Sequence, residues 1–150
     1  MQPQQPSIEA QYRTMTVVWA ALLVSQFLFL VILFVIKPEV YRFDFTKPFL
    51  PENAAVAVLA LAFLSISTFL LSFVLKGRFL KQAVAEQSTA QVQTAMIVAC
   101  ALCESVSLFG LVLAFAFDYQ YFFLWFALGI LGFILHFPKR DQLVAAGYKK

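Results

Sequence analysis

Four uninterrupted apolar runs, residues 15–36, 54–75, 95–117 and 119–137, take up most of this 150-residue chain. Each has the ~17–25 residues that a helix needs to cross a bilayer. The composition agrees, at 62% hydrophobic and 13% charged, against about 45–50% and about 25% in ordinary soluble domains. So much apolar surface has to face lipid. Because unpaired backbone groups are not tolerated in hydrocarbon, helices are expected for all four runs. The expected fold is all-α, an integral membrane four-helix bundle. It carries a polar Gln/Pro-rich N-terminal tail (residues 1–14) and a basic C-terminal tail (residues 138–150). The first run exceeds the ~7–15 residues of a signal-peptide core and lacks a small-x-small cleavage site, so it reads as a retained helix.

Lys and Arg set the orientation. With the N-terminus inside, Arg13, Lys76, Arg78, Lys81, Lys139, Arg140, Lys149 and Lys150 fall on the inner side, eight in all, and Lys37, Arg42 and Lys47 on the outer. The bias puts both termini in the cytoplasm, as in a multi-pass protein of a bacterial-type inner membrane. No basic run interleaved with aromatics is present, so nucleic acid is not an expected partner. The lipid bilayer is one, and either a homo-oligomer or a larger membrane complex is expected to hold the chain.

The outer loop alternates rings and polar groups through Tyr41, Arg42, Phe43, Asp44, Phe45 and Thr46. Alternation places the rings on one side. With Tyr119, Tyr121, Phe122, Phe123, Trp125 and Phe126 they should form an aromatic belt at the outer interface. The polar stretch 76–93 has no proline and one glycine, Gly77, and could prolong the second helix before the chain turns.

Glu104 is the one charge inside any of the four runs. An ionised carboxylate at that depth costs ~2.5–3.5 kcal/mol on insertion scales, so it must be neutralised, partnered or used. At helical spacing Gln93, Cys100, Glu104 and Ser107 share a stripe, with Ser105 to one side. Ser25 and Gln26 fall near the middle of the first run. Ser65, Thr68 and Ser72 share a face of the second. These groups are expected to converge inside the bundle. Two readings of Glu104 follow. In one it binds and releases a proton or helps coordinate a cation, since low-dielectric surroundings favour the neutral carboxyl over the charged one. In the other it is a fixed hydrogen-bonding strut worth ~0.6–2 kcal/mol.

Cys100 and Cys103 have the spacing of a redox pair, but the activating feature of that motif is a helix N-terminus, and these lie mid-run. They read as small packing residues. His136 shares a face with Gly129, Gly132 and Trp125 and reads as part of a helix contact. A lone histidine provides neither a metal site nor paired haem ligation, so no metal or cofactor is expected. Catalytic motifs are absent, and the chain does not read as an enzyme.

Residues 101–115, ALCESVSLFGLVLAF, place an Ala and the Glu before a small residue, then an aliphatic–aromatic pair and a Gly-Leu-Val-x-Ala run. This stretch resembles the carboxylate-bearing helix of the proteolipid (c) subunits of rotary ATP synthases. The resemblance implies that Glu104 carries the ion and that Ser105 is the accompanying hydroxyl of sodium-binding members. It also implies that the second and third helices form a hairpin around a cytoplasmic loop. The helix before it has Ala55, Ala57, Ala60 and Ala62 where that family carries a glycine stripe.

Overall fold

The computed structural model describes residues 7–44 and 46–147, and in these its regular structure is all helical, without a strand. Helix α1 spans Ile8–Ile36, α2 Ala55–Ala85, α3 Thr89–Phe117, α4 Phe123–Leu135 and α5 Arg140–Gly147. Short 3-10 turns, Pro38–Tyr41 and Gln120–Phe122, lead away from α1 and into α4. Three helices, α1, α2 and α3, are long and apolar enough to cross a membrane.

Local chemistry sets the helix ends. Ser7 caps α1 by accepting from the Ala10 amide at 3.3 Å, which satisfies one of the orphan donors of the first turn. Pro38 disfavours a helical Lys37, and α1 stops at Ile36. α3 ends where Asp118 turns left-handed (φ 50), a conformation that Asp tolerates better than most residues. Gln87 does the same (φ 50) in the α2–α3 turn, where the Ser88 amide returns to the Ala83 carbonyl at 2.9 Å.

Every helix departs from the boundaries expected from hydropathy. α1 begins at Ile8 rather than 15, and α3 at Thr89 rather than 95. α2 runs ten residues beyond 75, to Ala85, so that the segment expected as an inner loop shrinks to residues 86–88. Hydropathy marks contact with lipid, whereas a helix continues through Lys, Arg, Gln and Glu at little cost. At the C-terminal end the reverse holds. The run 119–137 contains only a 3-10 turn and the 13 residues of α4. From Gln120 to Leu135 these rise about 24 Å, and α5 follows at a bend of 47°. The segment expected as a basic tail contains α5, with Leu143 and Ala146 fully buried beside Met15, Ala83, Val92 and Met96. Residues 1–6 of the N-terminal tail, Phe45 of the aromatic strip, and Lys149 and Lys150 lie outside the described residues.

α3 is the axis. It packs on α2, α4 and α1, while α4 also touches both α1 and α2. Within their most apolar windows 44% of α3 is buried, against 11% of α1 and 17% of α2. α5 closes the end of the bundle nearest the α2–α3 turn, against α1, α2 and α3.

Candidate functional site

Pairings along their length show that α1 and α3 run parallel. Lys37 at the C-terminal end of α1 bridges Asp118 and donates to the Phe115 carbonyl at 2.8 Å. Three to four turns along, Ser25 Oγ lies 2.9 Å from Glu104 Oε1 and 2.6 Å from the Leu22 carbonyl. A hydroxyl carries one hydrogen. Ser25 therefore donates either to the carboxylate or to Leu22, and in the second case its oxygen can accept from a protonated Glu104. Both states of the acid fit this geometry. Glu104 is half-buried, and its second oxygen neither receives a hydrogen bond nor counts among the fully enclosed polar atoms.

The convergence expected around Glu104 is not formed. Ser105 turns ~100° around α3 and donates to its own helix at the Ala101 carbonyl, 3.0 Å away. Gln26 turns by the same angle from Ser25 into the bundle. It is fully buried, and neither amide atom has a partner among the described residues. Ser107 is also fully buried with an unpartnered hydroxyl, facing Gly129, where an added Cβ would collide with it. Ser65 donates to Leu61 on its own helix at 2.6 Å, and Thr68 is half-buried. One hydroxyl at the carboxyl is far short of the six or more oxygens a hard cation such as Ca²⁺ gathers. The described residues contain no group of three or more His, Cys, Asp or Glu able to hold a metal.

A second polar cluster meets α3 at Cys103, ~100° around the helix from Glu104, and sequence reasoning missed it. Ser72 Oγ of α2 lies 2.6 Å from the Phe69 carbonyl. His136 Nε2 lies 2.8 Å from that hydroxyl oxygen and donates to it when Nε2 carries the ring proton, accepting from the hydroxyl in the other tautomer. Cys103 Sγ approaches Ser72 Oγ at 3.8 Å. Lys76, only 8% exposed, donates to the His136 carbonyl at 3.2 Å and so caps the C-terminal end of α4. Gly132 makes room for Cys103. The joint is closed, with both cysteines fully buried. Its chemistry is that of a helix contact rather than of a reaction. The signal was present in part, because His136, Gly129 and Gly132 share a face. Lys76 was hidden by its place one residue beyond an apolar run.

At the C-terminal end of α1, loop and bundle are sewn together. The Gln120 amide accepts from the Asp44 amide at 3.0 Å and donates to the Asp44 carbonyl at 2.7 Å. Tyr119, Tyr121 and Tyr41 donate to Phe49, Lys47 and Leu30 carbonyls. Edge contacts join Tyr41 to Phe122 at 5.2 Å and Phe43 to Phe123 at 5.4 Å. The Asp44 carboxyl is held below the usual value by its side-chain and backbone hydrogen bonds to Thr46. Between the loop and the start of the α4 segment lies a cleft of 270 Å³ lined by Lys47, Asn53, Asp118, Tyr119 and Tyr121.

Compared with protein-family models, curated proteins and solved structures, the chain matches none.

Proposed function

We propose that this protein is a non-catalytic subunit of a larger membrane complex, crossing a bacterial-type inner membrane four times with both termini in the cytoplasm. The fourth crossing is the bent segment from Gln120 through α5. Four crossings return the chain to its starting side, in keeping with the inner excess of Lys and Arg. The observation that carries the reading is the state of Glu104: one oxygen tied to Ser25 across the α1–α3 seam, the other without a hydrogen bond among the described residues and not enclosed. Such a group holds α1 to α3 and presents a polar handle to a neighbour. Native gels of membranes extracted in mild detergent test this. Glu104→Leu should release the assembled species, and Glu104→Gln, which keeps the hydrogen bond to Ser25 but not the charge, should loosen it to a smaller extent. Assembly unaffected by Glu104→Leu would refute the reading.

A second reading has its own observation. Ser25 has two acceptors within reach, so Glu104 can lose and regain a proton without leaving its partner. Together with the resemblance of residues 101–115 to proteolipid subunits, this supports a carboxyl that carries a proton, not a coordinated cation. Carbodiimide modification of Glu104 that slows as pH rises, with function abolished by Glu104→Gln while assembly survives, would favour it.

A further inference from the structure

α3, the most enclosed of the long helices, is bare along one stripe. Ile97 is 38% exposed, Leu108 37% and Val112 50%, and Ala101 is exposed between them. α4 fills the angle between α1 and α2 on one side of α3, where Gly110, Gly129 and Gly132 admit close contact. On the other side α1 and α2 make at most marginal contact, and the angle stays open. Its floor is the bare stripe, apolar above and below, with Ala101 and Ser105 one turn apart at mid-span and the carboxyl of Glu104 at the edge. Small residues at such spacing let a second backbone approach closely in lipid.

We infer that this groove receives one transmembrane helix from a different protein, bearing a single basic side chain at mid-bilayer that pairs with Glu104. This rests on the subunit reading above and names the partner's chemistry. Charge complementarity decides the occupant. Lipid tails offer no donor to the open carboxyl oxygen. A second copy of this chain would bring another Glu104 and no cation at that depth, because Lys37 is engaged with Asp118 at the outer end and Lys76 with His136. An intramembrane acid and base pair by preference because each is costly alone.

The test uses the full chain, donor-labelled, in phosphatidylcholine vesicles with acceptor-labelled leucine–alanine peptides of about 20 residues. One peptide carries a central lysine and the other leucine at the same place. The lysine peptide should bind about tenfold more tightly, the scale of one interhelical polar contact in lipid. Glu104→Leu should erase the difference, and Ala101→Phe should weaken both peptides by filling the groove. Leu70→Phe, at a position 59% exposed on α2, should change nothing, and unchanged helical circular dichroism certifies each variant. Equal binding of the two peptides to the wild-type chain overturns the inference, as does a lysine preference that survives Glu104→Leu. So does Glu104-dependent self-association that shuts out the peptide, which would make a second copy the occupant. If Glu104→Leu dismantles the native complex while the peptides bind equally, only the groove inference fails. A lysine preference beside an undisturbed native complex removes the subunit reading instead.

Discussion

The two flanks of α3 solve the same problem in opposite ways. Towards α4, glycines bring backbones together, Ser72, His136 and Cys103 satisfy one another, and Lys76 caps a helix end. Towards α1, Lys37 ties one end to Phe115 and Asp118, while the middle of the seam has a single side-chain hydrogen bond, between Ser25 and a carboxyl that remains half open, beside a glutamine with no partner among the described residues. The first arrangement fixes a structure. The second keeps an open carboxyl oxygen at the bundle surface, whereas the unpartnered polar atoms of the first, Ser107 Oγ and Trp125 Nε1, are sealed inside. A closed joint needs nothing further from outside, whereas an open one calls for a proton or a partner.

The largest expected effect tests the closed flank. A Cβ at Gly110 would sit 2.5 Å from Trp125 Cβ and 2.9 Å from the Phe122 carbonyl, neither of which can swing away. Gly110→Val should therefore destabilise the bundle by about 2–3 kcal/mol, read as a lower unfolding midpoint in detergent. An unshifted midpoint would mean that the α3–α4 contact is looser than its geometry.

The open flank predicts the opposite sign. Gln26 is buried with both amide atoms unpaired, and an unsatisfied buried polar group costs ~1–3 kcal/mol. Replacing it with an apolar residue of similar size, Gln26→Leu, should raise the same midpoint by about 1 kcal/mol. Loss of stability instead would show that the amide finds a partner in the membrane and belongs with Glu104 after all.

These two residues also mark how far the sequence could be read. The lipid-facing cores of the helices, the stop at Asp118 and the isolation of Glu104 are written in hydropathy alone. The rotation of Gln26 away from Glu104 is not, because it depends on which side of Ser25 faces α3, a matter of packing between helices distant in sequence. The same holds for Lys76 and Leu143. A lysine just past an apolar run reads as loop, and a leucine in a charged tail reads as incidental, yet tertiary contacts bury both. The Ser72–His136 pairing joins residues 64 apart in the chain, with no local pattern to announce it.

A smaller effect separates tie from handle. Ser25→Ala removes the hydroxyl paired with Glu104 and leaves α1 held by Lys37 on the Phe115 carbonyl at 2.8 Å and by Trp19, whose indole donates to the Phe133 carbonyl at 2.8 Å. The cost should be about 0.6 kcal/mol, the average of interhelical hydrogen bonds in lipid. In a double-mutant cycle with Glu104→Leu the two losses should fail to add, since either change alone breaks the same bond. Additive losses would separate the two residues and leave Glu104 free to act without α1.

The outer loop supplies a contrast in pH. Its Asp44 accepts from the Thr46 amide at 3.0 Å and from the Thr46 hydroxyl at 2.6 Å, both of which favour the carboxylate and lower its pKa from 3.8. A lowered folded value means that the turn is supported wherever Asp44 is ionised. The support is whole above the ordinary aspartate range and disappears as pH falls through the lowered value. From pH 7 to 5 the Thr46 amide resonance should therefore stay still in micelles, then move with a midpoint below 3.8, the reference value. Asp44→Asn should abolish that movement while leaving the Gln120 side chain on the backbone of residue 44, because that pairing uses no carboxylate. A midpoint at or above the reference value would mean that the turn does not hold the charge, and that Gln120 alone ties the loop to the bundle.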